Sequence, residues 1–141
     1  MTSTFKIALL SAGTNPASWT AVSTLLSNGG DIDQLPDWSF TPYPEFTERG
    51  DGGRSGQGLP VAAWRWKALR AEQRENLRDF CSALSAEVYI QTPTNETTSG
   101  ARVWKNYRCQ MLWMPVDENT FDAINTTQDV DLEFRMCVEV P

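Results

Sequence analysis

The chain has 141 residues, 40% of them hydrophobic and 21% charged, with a net charge of −6 and a pI near 4.6. That length fits one domain able to bury about two-thirds of its unfolded surface. The acidic balance excludes a chain that wraps nucleic acid through clustered Lys and Arg, so no sequence-specific nucleic-acid partner is expected.

Residues 1–10 carry one charge, Lys6, and a short apolar run at 7–10, so no signal peptide is expected. No stretch approaches the roughly 18 apolar residues of a membrane span, so no membrane partner is expected and the chain is expected to fold in the cytosol. Residues 15–26 read as a short helix, capped by Asn15, opened by Pro16 and stopped by Asn28-Gly29-Gly30. Residues 35–46 hold Pro36, Pro42 and Pro44 among Trp38, Phe40, Tyr43 and Phe46. Those prolines exclude a central strand and favour an extended path lying against the domain or a neighbour.

Five glycines fall within residues 50–58. A phosphate-binding loop would need G-K-[ST] between an apolar strand and a helix, and none of these is present. The segment reads as a mobile surface loop or hinge. From Pro60 onward the pattern sharpens. Residues 61–67 read as a strand with Ala62, Trp64 and Trp66 on one face. Residues 70–84 read as a helix with Leu77, Phe80, Cys81 and Leu84 in a stripe and Leu69 on the same side; its mixed charges suit a solvated face.

Residues 87–92 read as a strand, 94–100 as a polar loop, and 103–114 as a long strand with Tyr107, Cys109, Met111 and Trp113 on its apolar face. Residues 129–140 alternate most cleanly. Val130, Leu132, Phe134, Met136, Val138 and Val140 make one apolar face, with Cys137 on the other. The fold class is therefore α+β, mainly β: an antiparallel β-sandwich with one packed α-helix and an extended N-terminal arm. One domain spans 1–141, divided into an arm (1–46), a Gly-rich loop (47–59) and a sandwich core (60–141). Deleting the arm is expected to leave a folded core.

The chain contains no histidine. That removes the commonest general base, the commonest zinc ligand beside Cys, and the Ser-His and Cys-His nucleophile pairs. Carboxylate pairs are available at Asp129 with Asp131 and at Asp117 with Glu118, but both read as solvated charge rather than a glycosidase pair. Cys81, Cys109 and Cys137 are an odd, widely spaced set without C-x-x-C, the pattern of buried free thiols rather than a disulfide framework or a metal site. Cys137, placed on the outer face, is expected to be the most reactive. Asn95-Glu96-Thr97 and Asn125-Thr126-Thr127 fit the glycosylation pattern by chance. No catalytic residue, cofactor or metal is expected.

From Tyr43 onward the chain runs Y-P-E-F-T, a Gly-rich loop, G-L-P-V-A-A-W-R-W-K-A-L, E-Q-R-E-N-L-R-D-F-C and S-A-E-V-Y-I-Q-T. It ends with Y-R-C-Q-M-L-W-M-P and D-V-D-L-E-F-R-M-C-V-E-V. This order, over about two-thirds of the chain, resembles small structural proteins encoded by tailed bacteriophages in or near the tail and baseplate genes. The resemblance implies a non-catalytic virion component, made in the host cytoplasm in many copies and built on a tail-tube-type sandwich with one helix. It implies copies of itself and other virion proteins as partners. An arm and a loop that order on assembly suit such a subunit. The candidate assembly contacts are Trp38, Phe40, Tyr43 and Phe46 on the arm, Arg54 in the loop, and Trp104, with some of the six Trp at subunit contacts. A capsid cement protein would share this composition. A carbohydrate- or receptor-binding module would instead expose Trp38 or Trp104 to stack on sugars.

Overall fold

The computed structural model describes residues 4–25, 36–81, 83–113 and 126–140. Its main body is a seven-stranded antiparallel sheet. The strands in chain order are β1 (Lys6–Leu9), β2 (Thr20–Ala21), β3 (Asp37–Thr41), β4 (Glu45–Glu48), β5 (Arg54–Gln57), β6 (Val61–Arg70), β7 (Ser85–Thr98), β8 (Ala101–Leu112) and β9 (Thr126–Glu139). A helical turn, α1 (Val22–Leu25), follows β2, and the helix α2 (Ala71–Arg78) follows β6. In space the sheet runs β2-β1-β7-β8-β9-β6-β3, with β4 and β5 paired apart from it.

The two halves of the sheet face each other, giving the mainly-β, sandwich-like fold with one packed helix. Trp64 on β6 donates its ring N–H to Thr92 Oγ1 on β7 at 3.1 Å, although two strands separate them in the sheet. Phe5, just before β1, meets the Trp64 ring edge-on with centroids 5.4 Å apart, and Phe134 of β9 meets it at 4.7 Å. Period-two alternation supplies the interior: Ala62, Trp64 and Trp66 from β6, and Tyr107, Cys109, Met111 and then Trp113 from β8. Leu77 and Cys81 carry the buried stripe of α2 and the turn after it, while Arg78 sits over the Trp113 ring at 4.9 Å.

Where expectation and structure part, local chemistry explains the difference. The N-terminal segment is no arm. β1 lies inside the sheet between β2 and β7, and Phe5, Ile7 and Val22 are core residues. β3 pairs with β6 through Trp38↔Trp64 and Phe40↔Ala62 as the sheet's other edge, where flanking Pro36 and Pro42 cost no ladder bond.

At 15–26, Asn15 does cap and Pro16 does open a turn, with the Asn15 side chain accepting from Ala17 N, but that turn ends at Ser18. Trp19 is held extended there: its ring N–H reaches Gly13 O at 2.9 Å and its ring stacks on Tyr89 at 5.3 Å. The stop expected at 28–30 lies outside the described residues.

The Gly-rich segment is half a hairpin. β4 and β5 pair from Glu45↔Gln57 to Glu48↔Arg54, closed by Arg49 N to Gly53 O at 2.7 Å. The expected polar loop at 94–100 is also mostly strand. β7 and β8 continue to a tight turn in which Ser99 (φ 52°) and Gly100 (φ 82°) both take the left-handed conformation that matches strand twist. The expected helix at 70–84 is shorter, because the Arg78 guanidinium donates to the carbonyls of Cys81 and Ala83, both at 2.7 Å, and ends it.

The last strand reverses its phase. Arg108 pairs with Val138 but Gln110 pairs with Arg135, so Met136 and Cys137 together oppose Cys109 in a β-bulge. Met136 adopts φ 55° at this point. Val130, Leu132 and Phe134 point inward before the bulge. After it Cys137 points inward at 1% exposure, while Met136 and Val138 are 60% and 53% exposed. The expected single apolar face and outward Cys137 are both corrected by this one extra residue. Val140, now on the outer face, is covered with Trp19, Ala8 and Tyr89 in a second small cluster.

Candidate functional site

The bulge, the β3–β4 corner and the β5–β6 corner converge on one open pocket of about 340 Å³. Phe40 and Tyr43 line it from one side, Leu59 and Pro60 from another, with Tyr107 and Val138 among its other walls. The Cys137 backbone N–H donates to Pro60 O at 3.3 Å, so the start of β6 and the bulge are fastened together. The Phe40 ring stacks on Tyr107 with centroids 5.7 Å apart.

Tyr43 is the most unusual element. It is 60% exposed, yet one face of its ring lies on the backbone of β5 at Gly56. A Cβ at position 56 would fall 2.5 Å and 2.6 Å from the ring's Cδ carbons, so only glycine lets the ring lie flat there. The free face looks outward. A large aromatic whose orientation is set before binding gives up little conformational entropy when a partner covers it. Leu59 and Val138, exposed on the same pocket, extend the apolar surface beside it.

Two of the ionisable groups lining this pocket neutralise each other. Lys105 pairs with Glu96 at 3.3 Å. Burial, aided by the negative charge of Glu139, pushes the Tyr107 phenol up to about 12, so it is neutral at physiological pH. Beneath them Cys109 Sγ donates to Val88 O at 3.8 Å and Cys137 Sγ to Phe134 O at 3.4 Å, and burial holds the Cys109 thiol well above the usual range. Among the described residues no three His, Cys, Asp or Glu side chains are grouped as metal ligands. The arrangement offers aromatic and aliphatic surface for contact, with a polar rim.

Of the candidate contacts, the fold brings Phe40 and Tyr43 together in this pocket. Trp38 is half-buried beneath the Arg102 guanidinium, 5.4 Å from its ring, and Trp104 is half-buried against Phe5 at 5.0 Å. Neither Trp is an open platform for a sugar. Arg54 stands exposed on the separate hairpin, 3.7 Å from Glu48. The Phe46 side chain and the Asp117–Glu118 pair lie outside the described residues; Asp131 pairs with Arg65 at 3.1 Å. Sequence reasoning missed Leu59 and Val138 as part of this surface. Leu59-Pro60 directly before a strand was a readable corner signal, whereas no glycine stands at the bulge to announce it. No family model, curated protein or solved structure matches the chain.

Proposed function

We propose that this chain is a non-catalytic structural subunit of a tailed-bacteriophage virion, assembling through contacts between its own copies in the tail tube, distal tail or baseplate. The observation that supports assembly is Tyr43, exposed yet fixed on Gly56 and sharing its pocket with the apolar side chains of Leu59 and Val138. Rigid aromatics within apolar surroundings are the anchors on which protein interfaces concentrate their affinity. Among the described residues the β4–β5 hairpin that carries the contact pairs with no strand of the main sheet, so it reaches a neighbour without opening that sheet. The virion setting rests on the resemblance of the sequence from Tyr43 onward to phage tail and baseplate proteins. The absence of histidine, the paired Lys105 and the neutral Tyr107 favour binding over catalysis.

Electron microscopy of intact particles carrying a labelled copy of the chain tests this reading. Label in repeated positions along or at the end of the tail is the expected result. Label on the capsid surface would establish a cement protein instead, and unlabelled particles would overturn the virion assignment.

A further inference from the structure

We propose that Cys109 and Cys137 are a modification site: a dithiol that closes to a reversible cross-strand disulfide when a peroxide enters from the pocket. The strand register carries this. Cys109 on β8 faces the two bulge residues Met136 and Cys137, because the pairing jumps from Arg108↔Val138 to Gln110↔Arg135. Without the extra residue Cys137 would share the outward face with Arg135, remote from Cys109. With it, both cysteines turn inward on adjacent strands, 3% and 1% exposed.

Directly opposed residues on antiparallel strands hold their Cβ atoms about 4.5–5.5 Å apart, and a disulfide needs about 3.5–4.5 Å. The added twist of a bulge is the kind of local adjustment that closes such a gap. The left-handed Met136, φ 55°, is a backbone conformation unfavourable for a non-glycine residue, and it places Cys137 beside Cys109.

The two sulfurs are not equivalent. Cys137 is among the pocket-lining residues, whereas Cys109 is not. The neighbouring Cys109 thiol draws the Cys137 thiol below its ordinary range against the opposing effect of burial, with a smaller contribution from the Ala62 backbone, so Cys137 is the attacking group of the pair. Its sulfur displaces water from hydrogen peroxide as the O–O bond breaks, leaving a sulfenic acid. The Cys109 sulfur then attacks the Cys137 sulfur. The S–O bond breaks, and the departing hydroxide leaves as a second water with the Cys109 proton. Two thiols are oxidised, one peroxide is reduced to two waters, and a small dithiol reductant reverses the bond. Cys81 takes no part. Its sulfur lies behind α2, directed at the carbonyls of Ala83 and Met111.

The test treats the folded, full-length chain with hydrogen peroxide, blocks remaining thiols with iodoacetamide in denaturant, and maps peptides without reduction. The expected product has lost two hydrogens, contains one Cys109–Cys137 linked peptide and keeps Cys81 alkylated. Cys81→Ser should bridge at the wild-type rate, and Cys137→Ala should leave Cys109 unoxidised. Cys109→Ser should accumulate a sulfenic acid at Cys137 that dimedone traps. A bridge involving Cys81 would overturn the assignment. So would three alkylated cysteines at a peroxide dose that fully oxidises a free thiol peptide, or sulfinic acid at Cys109 without a bridge.

Discussion

Position 136 gives a test in which the usual preference of a β-strand should invert. In an ordinary strand position Val is favoured over Gly by about 1 kcal/mol. Met136, within β9, sits at φ 55°, where an L-residue pays about 1–2 kcal/mol and a β-branched one more, while glycine pays nothing. Its side chain is 60% exposed, so either replacement forfeits little burial. Glycine brings its own entropic penalty of about 0.5–1 kcal/mol from the freer unfolded chain. The difference leaves Met136→Gly more stable than Met136→Val by about 1–2 kcal/mol, or about 3–8 °C in Tm for a domain of this size. Thermal unfolding followed by Trp fluorescence, with urea titration as a second probe, measures it. If Met136→Val proved as stable as Met136→Gly, the bulge would be refuted, and with it the phase reversal that buries Cys137.

The remaining predictions follow from the same packing. Phe134→Ala, at a fully buried ring against Trp64, should cost about 3–5 kcal/mol, whereas Val138→Ala, on the exposed side of the bulge, should cost under about 1 kcal/mol; equal losses in urea unfolding would restore an unbroken alternation. Deleting residues 1–46 should abolish cooperative unfolding, because β1, Phe5, Ile7 and the edge strand β3 go with it; a folded remnant by circular dichroism would return that segment to the status of an arm. Tyr107 is neutral in the fold up to about pH 12, against an ordinary phenol at 10.0, so its contribution to stability is whole below pH 10 and lost as pH climbs towards 12. Absorbance titration of wild type against Tyr107→Phe should assign one late-ionising phenol to it, and a difference curve centred near 10 would contradict its burial.

What was legible in the sequence was regular periodicity over long runs. Ala62, Trp64 and Trp66, and likewise Tyr107, Cys109, Met111 and Trp113, alternate cleanly and are all buried, which is enough for a mainly-β antiparallel fold. The four-residue β1 is too short to show a period, and its centrality comes from long-range pairing of Ile7 with Ile90. The glycines of residues 50–58 masked the hairpin by suggesting mobility, although Gly52 serves its tip and Gly56 seats the Tyr43 ring. In the last strand the alternation was real in composition but misleading in space. A bulge on a non-glycine residue leaves no local signal, and one inserted residue moves every later side chain to the other face. The candidate site was therefore half visible: Phe40 and Tyr43 were nameable, while the surface they join depends on that shift.

Sedimentation velocity of the wild-type chain, Tyr43→Ala and Gly56→Ala across a concentration series tests the proposed assembly most directly. Wild type should sediment faster as concentration rises. Losing an anchor side chain weakens an interface by about 2 kcal/mol or more, roughly 30-fold, so Tyr43→Ala should remain monomeric where wild type associates. Gly56→Ala should do the same while staying folded, since the displaced ring costs the hairpin only about 1–3 kcal/mol. A wild-type chain that is monomeric at every concentration, or variants that associate as wild type does, would contradict assembly through the Tyr43 surface.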